Sequence, residues 1–423
     1  MAIIPLPYGT GHIRLDTRNH PHLTVLQAGH PRVLADPLAA VRSALSAPAG
    51  TLPLAELIRQ KQPGKIVVVV NDETRPTPYE AFFPPLLEVF AQCGIRDEQV
   101  TFLIATGLHP AHDEALNRKV YGDDMVSRFR FVSHRADEEQ ELADLGTLAS
   151  GIPLKLNRLV VEADFVITLG VVMPHYFAGF SGGRKSILPG VAGHETIERN
   201  HARMLEIIDH LPDIHSNPIS LEMLEGARRG GVDFIINAVV TDTQDIVFIA
   251  AGDLEEAWYK ATEVCRPLYE VPLDRPADLC IATASGYPRD VNMYQAQKAL
   301  DHADHGSREG GDILLLAEAP KGLGEHVFEQ WLLKRLPPDE LMSEVKKHFV
   351  IGGHKAYGFA RVAARKKLHF CSSLDEQTIN LLYADKVTDV QSFYDTYLQQ
   401  HPQAEIVILP EGSVTLPVCK HRA

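Results

Sequence analysis

Residues 174–201, PHYFAGFSGGRKSILPGVAGHETIERNH, gather three histidines, a lysine in a glycine-serine loop and a Pro-Gly turn into 28 positions. Packing alone does not demand that density. In the loop 179–186 (GFSGGRKS), residues Ser181, Gly182 and Gly183 can turn backbone N–H groups toward one point, which makes a nest for an anion such as phosphate. A P-loop would need Gly immediately before Lys-Ser, and here Arg184 precedes Lys185. The spaced glycines of a dinucleotide fingerprint are also missing. The reading is a phosphate site of another kind, set against a purely structural glycine loop.

Two further histidine positions suit proton transfer, because imidazole titrates near neutral pH. His109 follows Thr-Gly in ATGLHP, and His175 follows Pro174 in MPHYF. Each could equally cap its loop. Arg75, in NDETRPTP, has its loop stiffened by Pro76 and Pro78, and a rigid guanidinium binds a carboxylate with two parallel bonds. A surface pairing with Asp72 or Glu73 is its alternative. In 286–300 (GYPRDVNMYQAQKAL), Asp290 is a candidate helix cap. Tyr294, Gln295 and Lys298 then share a face that could hold a small hydroxylated anion, or could merely be solvated. His194 and His201 lack the i, i+4 spacing of a zinc helix, so one of them, not the pair, is the candidate metal ligand.

The elements that must position these residues are legible as short apolar runs. Runs at 65–71, 100–106, 164–172 and 234–240 suit strands of a parallel sheet covered by helices, and 84–93 between the first two reads as a helix closed by Gly94. Asp72, Arg75, His109 and His175 all fall just beyond strand ends, where such sheets bind ligands. Residues 252–269 read as a helix capped by Asp253, and the Pro- and Asp-rich 272–277 marks a boundary. The expected domains are 1–273 and 274–423, the last residues packing back on the first domain. The second is a further α/β unit built on 279–284, 313–317 and 406–409.

Composition narrows the classes. At 423 residues the chain exceeds one ordinary core. Its 45% apolar and 23% charged content is that of a globular protein. A net charge of −14 argues against nucleic-acid and anionic-membrane partners. The five scattered cysteines and the lack of a leader or long apolar segment point to a cytoplasmic protein.

Taken together, NDETRP, ATGLHP, MPHYFAGFSGGRKSILPGVAGHETIERNH and YPRDVNMYQAQKAL resemble the nickel-pincer lactate racemase family, in order and spacing across nearly the whole chain. The resemblance implies two α/β domains with mainly parallel sheets and the active site in the interdomain cleft. It implies nickel held by a pyridinium-3,5-bisthiocarboxylic acid mononucleotide, loaded by cofactor-synthesis proteins. Lys185 matches the tethering lysine, His201 the nickel ligand, and Asp72 a cofactor-side contact. His109 and His175 match the acid/base pair, while Arg75, Tyr294, Gln295 and Lys298 match the substrate-binding groups. The implied reaction is racemisation of a 2-hydroxycarboxylate through a 2-keto acid by reversible hydride transfer. An NAD-dependent 2-hydroxy acid dehydrogenase would perform half of this cycle, but lacks its glycine fingerprint here. A non-catalytic nickel-nucleotide carrier or sensor would have no use for paired histidines.

Overall fold

The protein is described by a computed structural model covering residues 3–29, 31–207, 213–241 and 243–419. It divides into two compact units, one formed by Pro31–Arg266 and the other by Met1–His30 with Pro267–Ala423. Each is a six-stranded sheet with helices. Among the described residues no helix is long and apolar enough to cross a membrane.

In the unit 31–266 the strands run in the order Ile246–Gly252, Val232–Val240, Phe165–Val172, Ile66–Asn71, Val100–Ala105, Arg130–Ser133. All neighbours are parallel except the first pair. Ile66–Val70 and the whole of Phe165–Val172 are buried, as continuous apolar runs require when both faces are covered. From Ile66–Asn71 the chain steps outward to Val100–Ala105 and Arg130–Ser133, then returns to the other side of Ile66–Asn71 with Phe165–Val172. The loops leaving Ile66–Asn71 and Phe165–Val172 therefore depart from a switch in strand order, where open α/β sheets form a crevice. The intervening helix is Tyr79–Gln92, beginning five residues before the expected 84 because Pro84 and Pro85 are accommodated inside it.

The other unit carries the order Ala384–Lys386, Lys367–Cys371, Ser307–Leu316, Ala277–Thr283, Ile406–Leu409, Leu23–Val25, all parallel. Its core joins Leu279, Ile281, Leu314, Leu316, Ile406 and Ile408 to Leu6 and Leu15 of an N-terminal hairpin, Ile3–Tyr8 with Gly11–Asp16. This differs from the expected division at 273/274. The first residues belong to the second unit because Leu23–Val25 pairs with Ile406–Ile408 at its sheet edge. Leu416–Cys419 pairs with Glu270–Leu273 inside that same unit, and 420–423 lie outside the described residues.

Candidate active site

Most of the residues singled out by sequence lie in the unit 31–266, at or just beyond strand ends, with His201 on a helix. Asp72 follows the strand Ile66–Asn71 and is 3% exposed. Its Oδ2 accepts from His109 Nδ1 at 2.5 Å, and its Oδ1 accepts from the Thr74 hydroxyl at 2.7 Å and the Thr74 N–H at 3.2 Å. Burial works against the Asp72 charge, but these bonds and the nearby Arg75 outweigh it and hold the carboxyl below its ordinary range. A carboxylate can only accept, so His109 Nδ1 bears hydrogen and the neutral ring presents a lone pair at Nε2. Arg75 is exposed and folds back on its own loop, donating to the Thr74 carbonyl at 3.1 Å and hydroxyl at 3.2 Å.

The second cluster is organised by Phe177, a ring that sequence reading passed over. It is 2% exposed and stands edge-on to His175 at 4.5 Å, Tyr176 at 4.8 Å and His201 at 5.1 Å, with Lys185 Nζ 5.5 Å from its centre. The signal available was the run of three adjacent rings, His175-Tyr176-Phe177, directly after a strand. His175 stacks on Tyr176 at 5.2 Å, and its Nδ1 accepts from the Ala178 N–H in a long bond of 3.4 Å. That contact favours the tautomer with hydrogen on Nε2, opposite to His109.

His201 lies in the helix His194–Ala202, and its Nδ1 meets the Ile197 carbonyl at 2.9 Å. A carbonyl only accepts, so Nδ1 donates and Nε2 carries the lone pair. Burial, with the Lys185 amine adding, pushes its pKa down to about 3, which keeps that lone pair at neutral pH. Burial also lowers Lys185 well below the ordinary lysine value, aided by Arg75 and Arg184. Among the described residues, Lys185 Nζ has no hydrogen bond or ion pair. His194 is bonded instead to Asp137 at 2.8 Å.

The glycine loop is not the open nest that its sequence suggested. The Ser181 N–H donates to Met173 O at 2.8 Å, Gly183 N–H to Asn237 Oδ1 at 3.0 Å and Lys185 N–H to Gly182 O at 3.1 Å. The Ser181 hydroxyl donates to Val171 O at 2.7 Å. Amides satisfied internally leave less for an anion. Gly182 is required for close approach: its φ is +78°, and a Cβ would come within 2.7 Å of Val172 and 2.8 Å of Asn237. Arg184 explains the departure from a P-loop. It is 1% exposed, its guanidinium lies 3.6 Å from the Trp258 ring centre, and it donates to Ala178 O and Ser220 Oγ, both at 2.9 Å. It is a strut under the loop.

Tyr294, Gln295 and Lys298 lie on the helix Met293–Gly306 of the other compact unit. Tyr294 and Lys298 are half-buried and Gln295 is exposed. The cap is Asn292, whose side chain accepts from Gln295 N–H at 2.9 Å, and not Asp290. Asp290 is 1% exposed and accepts from Gly9 N–H at 2.6 Å, so its charge is spent fastening the hairpin turn.

Residues 8–210 match the family model of the lactate racemase N-terminal domain, and residues 273–416 that of the lactate racemase C-terminal domain. The chain is 34% identical over 351 residues to a lactate racemase of Thermoanaerobacterium thermosaccharolyticum, covering 82% of this chain and 81% of that one. It is 32% identical over 428 residues to a lactate racemase of Lactiplantibacillus plantarum, covering 97% and 99%. The structure of the lactate racemase apoprotein from T. thermosaccharolyticum superimposes with a TM-score of 0.88 at 28% identity, over 99% of this chain and 100% of that one.

Proposed function

The chain belongs to the lactate racemase family, and from that premise we propose that it racemises a lactate-like 2-hydroxy acid with a nickel-pincer nucleotide. The observation that carries this reading is the pairing around Phe177 of a depressed, unpaired lysine amine with an imidazole whose lone pair is fixed at Nε2. The Lys185 amine would hold the nucleotide, and imidazole Nε2 is a natural nickel ligand. No group of three or more His, Cys, Asp or Glu converges to hold a metal among the described residues. His201 would be the chain's own ligand to nickel, with the organic ring of the nucleotide supplying the others. When bound, the nucleotide supplies a reversible acceptor for hydride.

The chain's own residues handle protons and charge. Removing the α-hydrogen of a 2-hydroxycarboxylate as a proton would put a second negative charge beside the carboxylate, so the hydroxyl proton is the one a base should take. His109, with Asp72 behind it and a lone pair at Nε2, is set to accept that proton from one enantiomer. His175, when it carries the extra proton as an imidazolium, is set to return one from Nε2 to the keto oxygen, so that over a cycle one histidine gains the proton that the other gives up. The roles exchange for the other enantiomer. The Asp72 carboxylate stabilises the His109 imidazolium that forms. Arg75 and Lys298 are the proposed carboxylate and oxygen partners, with Gln295 and Tyr294 on the Lys298 helix.

The test is a panel of enantiopure 2-hydroxy acids incubated with cofactor-loaded protein and followed by chiral chromatography, with nickel analysis and intact mass alongside. Racemisation of lactate or a near analogue, together with bound nickel, is expected. Full turnover by metal-free, nucleotide-free protein would sink the proposal.

A further inference from the structure

Beside the Asp72–His109 pair lies a second imidazole–carboxylate pair joining the same two loops. His112, three residues after His109, donates from Nε2 to the carboxylate of Glu73, the residue after Asp72. The two pairs differ in setting. The His109 side chain is 48% exposed and has one ring nitrogen engaged by Asp72, whereas that of His112 is 1% exposed and engaged at both nitrogens. Its Nδ1 meets the Asn117 side-chain amide at 3.1 Å, and its backbone N–H donates to Ser133 Oγ at 3.0 Å. Its ring stacks on Tyr121 at 6.1 Å, and the Tyr121 hydroxyl donates to Asn71 O at 2.7 Å. Tyr79 grips the same residue, accepting from Asn71 N–H at 2.7 Å and donating to its carbonyl at 3.0 Å.

His112 is thus fastened to the strand end at Ser133 and to the helix Glu114–Tyr121, and through Glu73 and Tyr121 to residues 71–73. We propose that Glu73 and His112 are positioning residues: their bond sets the register of the 72–76 loop against the 106–112 loop, and so the contact of Asp72 with His109. The proposal rests on the acid/base role given to His109. Without the Glu73 bond, the exposed His109 ring and the loop bearing Asp72 can drift apart, because what then ties the loop tips is the pair itself and a long 3.5 Å contact of the Thr74 hydroxyl with His109 Nδ1. A displacement of about 1 Å at a reacting group costs on the order of 100-fold in rate.

The experiment uses cofactor-loaded enzyme for kinetics and protein with nitrogen-15-labelled histidine for NMR. Glu73→Ala should lower kcat by roughly 10- to 100-fold with little change in KM, and should shift or abolish the His109 Nδ1–H resonance. Glu73→Gln keeps an acceptor for His112 and should restore most of both. His112→Phe keeps the stack on Tyr121, loses both ring bonds and should reproduce the Glu73→Ala defect. The proposal is overturned if Glu73→Ala turns over at the wild-type rate with the resonance unmoved. It is equally overturned if Glu73→Ala loses melting temperature in step with activity and Glu73→Gln rescues neither. Wild-type turnover by His109→Gln would instead refute the acid/base reading, while the resonance reports on the clamp independently.

Discussion

Two buried lysines, Lys366 in one compact unit and Lys185 in the other, sit in opposite surroundings. On the helix Met293–Gly306, Asp304 faces Lys366 at 2.8 Å, Arg365 at 2.7 Å and Arg361 at 3.3 Å, while Asp301 takes Arg361 at 3.1 Å and Gln297 at 2.8 Å. Burial disfavours the Asp304 charge, yet the three cations bring its pKa down to about 2. In the other unit, Lys185 faces a phenyl ring and is disfavoured as a cation by burial and by Arg75 and Arg184, which lower its pKa well below the ordinary lysine value. The first arrangement holds charges together and pins the helix that carries Lys298. The second leaves a desolvated amine that gives up a proton more readily than an ordinary lysine. A buried lysine matched by a carboxylate reads as a structural part, and one that is not matched reads as a candidate for chemistry.

The largest effect should come from Lys185→Met. It should abolish racemisation and remove any cofactor adduct from the intact mass, yet leave melting temperature unchanged or higher, since no ion pair is lost. A substantial drop in stability would show that Lys185 is paired after all and would erase the contrast. Next come His109→Gln and His175→Gln, each costing roughly 100- to 10,000-fold in both directions of racemisation. Single-turnover spectroscopy sharpens this. Each variant should retain a half-reaction with one enantiomer, and the two variants with opposite enantiomers.

In the paired region, Asp304→Ala leaves Lys366 without a carboxylate, while Arg361 keeps Asp301 and Arg365 keeps Glu309, and should destabilise its unit by roughly 3 kcal/mol, read from the urea midpoint. A loss within error would mean that the ion network is not holding the helix. The smallest effect is a pH slope. Burial, with Lys298 nearby, pushes His302 from 6.5 down to about 3, so the unfolded chain takes a proton that the folded protein refuses. Its contribution is complete above pH 6.5 and is lost as pH falls toward 3, by roughly 1.4 kcal/mol per pH unit. His302→Gln should flatten the pH dependence of urea midpoints by that amount. An unaltered slope would show that His302 titrates alike in both states.

Much of the parallel sheet of the unit 31–266 was readable, because strands buried on both faces must be apolar throughout. The edge strand Ile246–Gly252 and the N-terminal hairpin were not. Ile3–Tyr8 contains Pro5 and Pro7, and Leu23–Val25 is too short to show a period. Asp72, Arg75, His109 and His175 could be picked out because strand ends in such sheets collect ligands. The fate of the loop amides was invisible, since Asn237, which takes the Gly183 N–H, lies far along the chain. Asp290 misled for a similar reason: its partners Gly9 and Glu318 are distant in sequence, and Asn292 was the better placed cap.

The pairing of Leu23–Val25 with Ile406–Ile408 makes residues 31–266 an insertion within the unit that surrounds it in sequence. During synthesis the inserted unit, with Lys185 and His201, has emerged whole before its host can finish a single sheet edge. At ~5–20 residues per second the opening segment waits on the order of tens of seconds for its partner strand. Until Leu279, Ile281, Leu314 and Leu316 have followed, Leu6 and Leu15, fully buried in the finished protein, have no core to enter. The nascent chain is then half finished enzyme and half exposed hairpin, and that hairpin is where a ribosome-associated chaperone would have most to hold.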